Sequence, residues 1–122
     1  MNKCEENLGK RLVCFLAAVH DIGKATPAFQ SMKGYANSLD LDKVLLEKLE
    51  RAGFVGISTE RLASPQCSRH HIAGQYLLKK YGVEDDIAAI IGGHHGKPID
   101  CDAECTSQIA YEKNYFQYFK KV

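Results

Sequence analysis

The chain has 122 residues, of which 45% are hydrophobic and 25% are charged, as is ordinary for one globular domain. Its formal net charge of +1 provides no basic field of the kind that marks a dedicated reader of duplex DNA. No apolar run reaches the roughly 20 residues that a membrane span needs. The five cysteines, with no secretory signal pattern, favour a reducing compartment. We therefore expect a cytoplasmic domain without membrane contact.

Apolar residues recur at three- and four-residue steps along most of the chain, which is the spacing of amphipathic α-helices. The first predicted helix spans about residues 5–21, with Gly23 as a stop signal behind it. Its apolar residues are Leu8, Leu12, Phe15, Leu16 and Val19. Thr26 and Pro27 form an N-cap and first-turn pair, which predicts a short second helix that ends at Gly34.

The rest of the chain continues the helical pattern. A third helix is predicted over residues 41–53, and its apolar stripe consists of Leu41, Val44, Leu45 and Leu49. Residues 54–68 are turn-rich and predict a loop, whose only strand-like stretch, "FVGI", is too short to build a sheet. Further helices are predicted over 69–82, 83–96 and about 102–121. The predicted fold is all-α, a compact bundle of about six helices.

Aromatic residues crowd the last predicted helix. They are Tyr111, Tyr115, Phe116, Tyr118 and Phe119. Because they spread over more than one helix face, one side is expected to pack in the core and the surplus to contact a partner. Base stacking is the alternative use of that surplus.

The five histidines fall into three clusters, and each cluster lies at the end of a predicted helix. The clusters are His20, His70 with His71, and His94 with His95. An isolated histidine is most often a surface or core residue, but adjacent imidazoles repel each other when charged and gain little by packing. Imidazole nitrogens together with a carboxylate such as Asp21 are the ligands of divalent transition metals. The pattern therefore predicts that three helix ends converge on one metal site.

The cysteines offer a competing metal site. "CSRHH" and "CDAEC" could together supply Cys67, His70, Cys101 and Cys105 to a structural zinc ion. A Cys-x3-Cys spacing at a probable helix start is poor for a zinc finger, so free thiols are the favoured interpretation.

The segments "HDIGK", "ATPAFQ", "SRHHIAG" and "GGHHG", in this order, resemble the HD superfamily of metal-dependent phosphohydrolases. More narrowly, they resemble the HD nuclease domain of the type I CRISPR-associated helicase–nuclease, over about residues 12–98. The resemblance implies an HD-type helical bundle that hydrolyses phosphodiester bonds of single-stranded DNA in type I CRISPR interference, an antiviral defence. The partners it implies are single-stranded DNA, a CRISPR-associated helicase subunit or domain and, through it, the RNA-guided surveillance complex.

The resemblance also implies roles for individual residues. The implied metal ligands are His20, Asp21, His70, His94 and His95. Asp21 takes the place of a carboxylate that bridges two metal ions, and Lys24 is implied as a second catalytic residue that meets a phosphate oxygen. His70 matches the histidine of an Arg-His element, whereas His71 occupies a variable place and is at most a donor to a ligand. Such a nitrogen-rich set favours one or two ions of Mn, Ni, Co, Fe or Zn over Mg.

The chain departs from the family pattern at two positions, a histidine well upstream of the HD pair and an aspartate well downstream of His-His-Gly. No histidine precedes His20, and the acids after His95 lie in no matching setting: Asp100, Asp102, Glu104 and Glu112. Residues 1–122 are therefore interpreted as one HD-type nuclease domain, either shortened at both ends or minimal with an incomplete metal cage. Two alternative functions stay open, a generic HD phosphohydrolase acting on nucleotides and a catalytically incomplete HD domain that binds a partner.

Overall fold

The structure, a computed structural model, describes residues 1–32, 39–59, 61–62, 64–97 and 107–115. All regular secondary structure in these ranges is helical, which confirms the predicted all-α class. The α-helices are α1 (Lys3–Val19), α2 (Pro27–Gln30), α3 (Leu39–Arg51), α4 (His70–Lys80) and α5 (Asp85–Gly92). Short 3-10 helices occur at Ile22–Ala25, Pro65–Cys67 and Ile109–Asn114. None of the helices described here is long and apolar enough to cross a membrane.

Local capping explains where the first two α-helices begin. Asn2 and Glu5 form a capping box, in which each side chain accepts a 2.9 Å hydrogen bond from the backbone N–H of the other residue. Thr26 caps α2, as its sequence predicts, by accepting a 3.4 Å hydrogen bond from the Phe29 N–H. The Thr26 hydroxyl also donates to the Gly23 carbonyl at 2.7 Å. The start of α2 is thereby fastened to the turn that precedes it.

The central element of the bundle is α4, whose residues from Ile72 to Leu78 are all buried. It packs against α5 and against the 3-10 helix Ile22–Ala25. One apolar cluster contains Ala73, Tyr76, Leu77 and Tyr115, with Tyr111 packed at its edge. The other contains Leu78, Ala88 and Ile91, with Leu16, Val19 and Val83 packed against it. Because burial of a large apolar side chain contributes about 1.5–3 kcal/mol, these clusters hold both ends of α4 in place.

The apolar sides predicted for α1 and α3 are less buried than their amphipathic spacing suggests. Leu8 is 66% exposed, and only the last turn of α1 reaches the core, through Leu16 and Val19. In α3 the buried apolar residue is Leu46, outside the predicted stripe, whereas Leu41, Val44 and Leu45 of that stripe are exposed and Leu49 is half-buried. Helical periodicity identifies an apolar face but not how much of that face a neighbouring element covers.

The helix predicted over 102–121 takes a different form in the described residues. Residues 109–114 form a 3-10 helix rather than an α-helix, and Tyr111 leaves the helical region with φ −114° and ψ 35°. Tyr115 and Tyr111 nevertheless pack in the core, as expected for one side of the aromatic set. The other aromatic residues, Phe116, Tyr118 and Phe119, lie outside the described residues.

Buried polar side chains explain this departure from an α-helix. The Ser68 hydroxyl donates to Gln108 Oε1 at 2.9 Å, and Asn114 Nδ2 donates to the Ser68 hydroxyl at 2.9 Å. Gln108 Nε2 also donates to the Cys67 carbonyl at 3.2 Å, and the Tyr115 hydroxyl donates to Gln108 Oε1. A buried polar group without a partner costs about 1–3 kcal/mol. The segment therefore follows the path that lets these side chains bond to one another, and not the α-helical path that its own sequence predicts.

Gly23 does not stop α1 in the way the sequence suggested. The helix ends at Val19, and Gly23 is buried inside the following 3-10 helix. A Cβ atom on Gly23 would lie 1.8 Å from the carbonyl oxygen of His70 and 2.9 Å from the Gly74 backbone nitrogen. Glycine is needed here because two backbones approach each other closely.

We expect Gly23→Ala to lower the free energy of unfolding by about 1–3 kcal/mol, because the added methyl group meets backbone atoms of α4. Urea denaturation followed by circular dichroism measures this change. Gly9→Ala is the matched control, since nothing lies within 4 Å of a Cβ atom at that position. The control is expected to raise the free energy of unfolding by about 0.5–1 kcal/mol through its helix propensity. Equal effects of the two variants would contradict the close packing of Gly23.

Candidate metal centre

The His-Asp pair lies in a turn that several hydrogen bonds hold in place. His20 ends α1, and the Asp21 carbonyl accepts a 2.9 Å hydrogen bond from the Lys24 N–H. The Lys24 ammonium donates to Asp21 Oδ2 at 2.8 Å, and Gln30 Nε2 donates to the Lys24 carbonyl at 2.7 Å. The Asp21 carboxylate thus has a fixed position, with 35% of its side chain exposed.

Three helix ends bring their histidines to this carboxylate. His70 is the first residue of α4, and His94 lies in the turn after α5. Asp21 Oδ1 is 3.7 Å from His70 Nε2 and 3.6 Å from His94 Nε2. His20 Nε2 is 3.3 Å from Asp21 Oδ2. The structure therefore places these four predicted residues around one point.

The tightest group of potential ligands consists of His70, His94 and His95, whose ligand atoms all lie within 4.8 Å of one another. Nε2 of His95 is 2.7 Å from Nε2 of His70, and the ring centroids of His94 and His95 are 4.3 Å apart. Two nitrogens bound to one tetrahedral zinc ion at about 2.0–2.1 Å are themselves about 3.3 Å apart. The separations and the imidazole donors fit a divalent transition metal ion.

The tautomers of the His20 and His94 rings also fit a bound metal ion. His20 Nδ1 lies 2.7 Å from the Ala17 carbonyl oxygen, and His94 Nδ1 lies 2.6 Å from the Ile91 carbonyl oxygen. A carbonyl can only accept, so each Nδ1 must carry the proton that it donates. In the neutral ring the lone pair is then on Nε2, which faces the Asp21 carboxylate. A lone pair and a carboxylate repel each other unless a cation lies between them or the ring is protonated.

The electrostatic environment favours charge states that suit metal ligands. The hydrogen bond from Lys24 lowers the pKa of the Asp21 carboxyl, partial burial opposes this, and the charges of Lys24, His20 and His70 lower it further. Burial lowers the pKa of the His70 imidazole, helped by His95 and Lys24 and opposed by Asp21. At neutral pH Asp21 is therefore ionised and His70 is predominantly neutral, as metal ligands must be.

His71 also points into this region, but its nitrogens are not part of the group formed by His70, His94 and His95. Its ring centroid is 5.2 Å from that of His95 and 6.5 Å from that of His94. Successive residues of a helix point about 100° apart. His70 and His71 therefore face different parts of the site.

The remaining potential ligands lie away from the group or outside the described residues. Cys67 is exposed with a free thiol, and Cys101 and Cys105 lie outside the described residues. Of the acids that follow His95, Glu112 is 3.6 Å from Lys80. The other three, Asp100, Asp102 and Glu104, are not among the described residues.

Sequence reasoning missed the part that Phe29 plays beside the site. Its ring meets the His70 ring edge to face with centroids 5.6 Å apart, and the Lys24 ammonium lies 6.0 Å from its centroid. The "ATPAFQ" segment was a recognisable element, but its spacing did not show that Phe29 contacts a histidine on another helix. Only the folded structure reveals this contact between α2 and the first residue of α4.

Comparisons with known proteins agree with the geometry. The family model described as "Cas3, HD domain" matches residues 2–120. The CRISPR-associated nuclease/helicase Cas3 of Streptococcus thermophilus is 68% identical over 116 residues, which cover 95% of this chain and 12% of that protein. No solved structure shows a significant match. These matches confirm the resemblance seen in the sequence, and the chain belongs to the Cas3 HD domain family.

Proposed function

We propose that this domain is a metal-dependent nuclease that hydrolyses phosphodiester bonds of single-stranded DNA in CRISPR interference. One observation carries the proposal, the convergence of three imidazoles with ligand atoms within 4.8 Å of one another, beside the Asp21 carboxylate. Family membership adds support, because the relative from Streptococcus thermophilus is named a nuclease/helicase. A cluster of titratable groups of this kind, at three converging helix ends, is typical of a functional site.

The proposed metal ligands are His20, Asp21, His70, His94 and His95. The nitrogen-rich set favours one or two ions of Mn, Ni, Co, Fe or Zn, whereas Mg prefers oxygen ligands. Bound divalent ions would supply an activated water nucleophile at neutral pH and neutralise charge that develops on the phosphate. Asp21 is suited to bridge two ions because its Oδ1 atom faces His70 and His94 while its Oδ2 atom faces His20.

Lys24 is proposed as the residue that meets a phosphate oxygen of the substrate. Its ammonium is bound to Asp21 Oδ2 at 2.8 Å, yet 41% of the side chain remains exposed. From this position the ammonium reaches both the carboxylate and the solvent beside it. A charge-assisted hydrogen bond from lysine to phosphate would offset negative charge during hydrolysis.

We base the proposed partners of the reaction on the relative from Streptococcus thermophilus. The chain spans 12% of the length of that nuclease/helicase, so the partners and the substrate of the longer protein are proposals here. We infer that a helicase subunit or domain delivers single-stranded DNA to the site. An RNA-guided surveillance complex would recruit the helicase, in the cytoplasm.

A second candidate is an HD domain that binds a partner without cutting DNA. It is favoured by the position of Glu112, which pairs with Lys80 instead of adding a second carboxylate to the histidines. A third possibility, hydrolysis of free nucleotides, is separated from the others by the choice of substrate in the experiment below.

We expect the Mn-loaded protein to cut circular single-stranded DNA and to leave a panel of free nucleotides intact. Asp21→Ala should reduce cleavage by about 100-fold or more and lower the bound metal, because a ligand to both ions is lost. Gel electrophoresis measures cleavage, mass spectrometry measures metal, and circular dichroism checks the helical content.

Asp86→Ala is the matched control, since Asp86 is an exposed carboxylate in the first turn of α5. It should keep both metal and cleavage. Metal binding without any cleavage by the unmodified protein would favour the partner-binding candidate. Hydrolysis of free nucleotides alone would favour the nucleotide phosphohydrolase.

Of the adjacent residues His70 and His71, His70 is predicted to be the metal ligand. His70→Ala should lower metal content and cleavage by about 10-fold or more, whereas His71→Ala should retain most of both. The two variants control for each other because they remove the same side chain from neighbouring positions of α4. The metal content after dialysis tests this prediction. Loss of metal in His71→Ala alone would show that His71, and not His70, is the ligand.

Lys24→Met tests the phosphate contact. We expect the variant to keep its metal but to cleave single-stranded DNA about 10-fold more slowly, because a charged hydrogen bond to the phosphate is lost. Lys10→Met is the control, since Lys10 lies on α1 and pairs with Glu6 at 3.0 Å. If Lys24→Met cleaves at the unmodified rate, the phosphate contact does not exist.

A further inference from the structure

A cavity of about 370 Å³ opens beside the histidine cluster. His70, His71 and His95 form part of its wall, and Phe29, Met32 and Pro65 form an apolar part of the same wall. Its volume falls within the range of about 300–1,000 Å³ that is usual for small-molecule sites. The proposed function uses the histidine side of this cavity but gives no role to its apolar side.

The histidine side and the apolar side of the cavity suit different parts of a nucleotide. His70 and His95 are shared with the proposed metal site, so a phosphate held there would lie at the edge of the cavity. The apolar wall offers an aromatic ring and a thioether, which are side chains that pack on the flat face of a base. In a single strand the base of a nucleotide lies next to its phosphate. A phosphate at the cluster therefore brings a base to the cavity.

The charges at the rim suit the backbone of the same strand. Arg69 lines the cavity, directly before His70, and its side chain is exposed. Lys24 lies close to Phe29, with its ammonium 6.0 Å from the ring centroid. Cations near an apolar pocket fit a ligand whose phosphates flank a base.

We propose that this cavity binds the nucleobase next to the scissile phosphodiester, with Met32 and Phe29 packing on the base and Arg69 contacting the backbone. This inference rests on the proposed function, because it needs a strand whose phosphate lies at the histidines. Base packing of this kind is worth about 1–3 kcal/mol, which corresponds to about 5-fold to 150-fold in affinity. Packing on the flat face tolerates every base, so the site would distinguish base from no base.

The experiment compares a labelled single-stranded thymidine oligonucleotide with one of equal length whose internal nucleotides lack bases. Fluorescence anisotropy measures binding of cleavage-resistant phosphorothioate forms of both strands to the Mn-loaded protein, and gel electrophoresis measures cleavage of the unmodified strands. We expect the thymidine strand to bind about 10-fold more tightly than the base-free strand. Met32→Ala should reduce that ratio several-fold while leaving the affinity for the base-free strand unchanged.

Ile90→Ala is the control, because Ile90 is 52% exposed on α5 and Met32 is 50% exposed beside the cavity. It should leave the ratio as it is in the unmodified protein. Equal binding of the two strands, or an equal loss for both in Met32→Ala, would overturn the base site even if cleavage occurs. Base-dependent binding that Met32→Ala weakens, without any cleavage, would support the site and refute the nuclease. Failure to bind either strand would refute both.

Discussion

The close approach of the Gly23 backbone to the first turn of α4 sets the geometry of the whole site. The His-Asp turn directly precedes Gly23, and His70 is the first residue of α4. A Cβ atom at Gly23 would be 1.8 Å from the His70 carbonyl oxygen, so a larger residue would push these two elements apart. The 3.7 Å between Asp21 Oδ1 and His70 Nε2 therefore depends on backbone packing. Thr26 holds the other side of the turn through its hydrogen bond to the Gly23 carbonyl.

This packing must overcome unfavourable electrostatics among the proposed metal ligands. Clustered imidazoles repel one another when protonated, and their lone pairs repel the Asp21 carboxylate when they are neutral. Lys24 relieves part of this strain with its 2.8 Å bond to Asp21, and burial keeps His70 predominantly neutral by lowering its pKa. The buried run from Ile72 to Leu78 anchors α4. The core thus holds donor groups in an arrangement that becomes favourable when a cation is bound.

The sequence predicted the approximate positions of the five described α-helices and the convergence of the ends that carry histidines, because local signals mark the start and end of each helix. Thr26 and Pro27 marked the start of α2, and histidine pairs beside helix ends showed where the elements converge. The role of Gly23 could not be predicted from the sequence, because glycine is preferred both at a helix stop and at a close contact between two backbones. The path of residues 107–115 depends on Ser68, which is distant in sequence, through buried hydrogen bonds. Periodicity also could not show that Leu46, rather than Leu41, is buried.

The start of α4 also explains how one short segment, Arg69 to His71, could contact both the phosphate and the base of a nucleotide. His70 and His71 point about 100° apart because they are successive residues of a helix, and Arg69 is the N-cap residue before them. All three residues line the cavity, and His70 also belongs to the histidine group. A strand lying across this turn would meet nitrogen donors at its phosphate and an apolar wall at its base. Ser68, buried and hydrogen-bonded to Gln108 and Asn114, fixes the chain just before this turn. The two surfaces therefore keep one relative position, as the proposed cleavage of a flexible single strand would require.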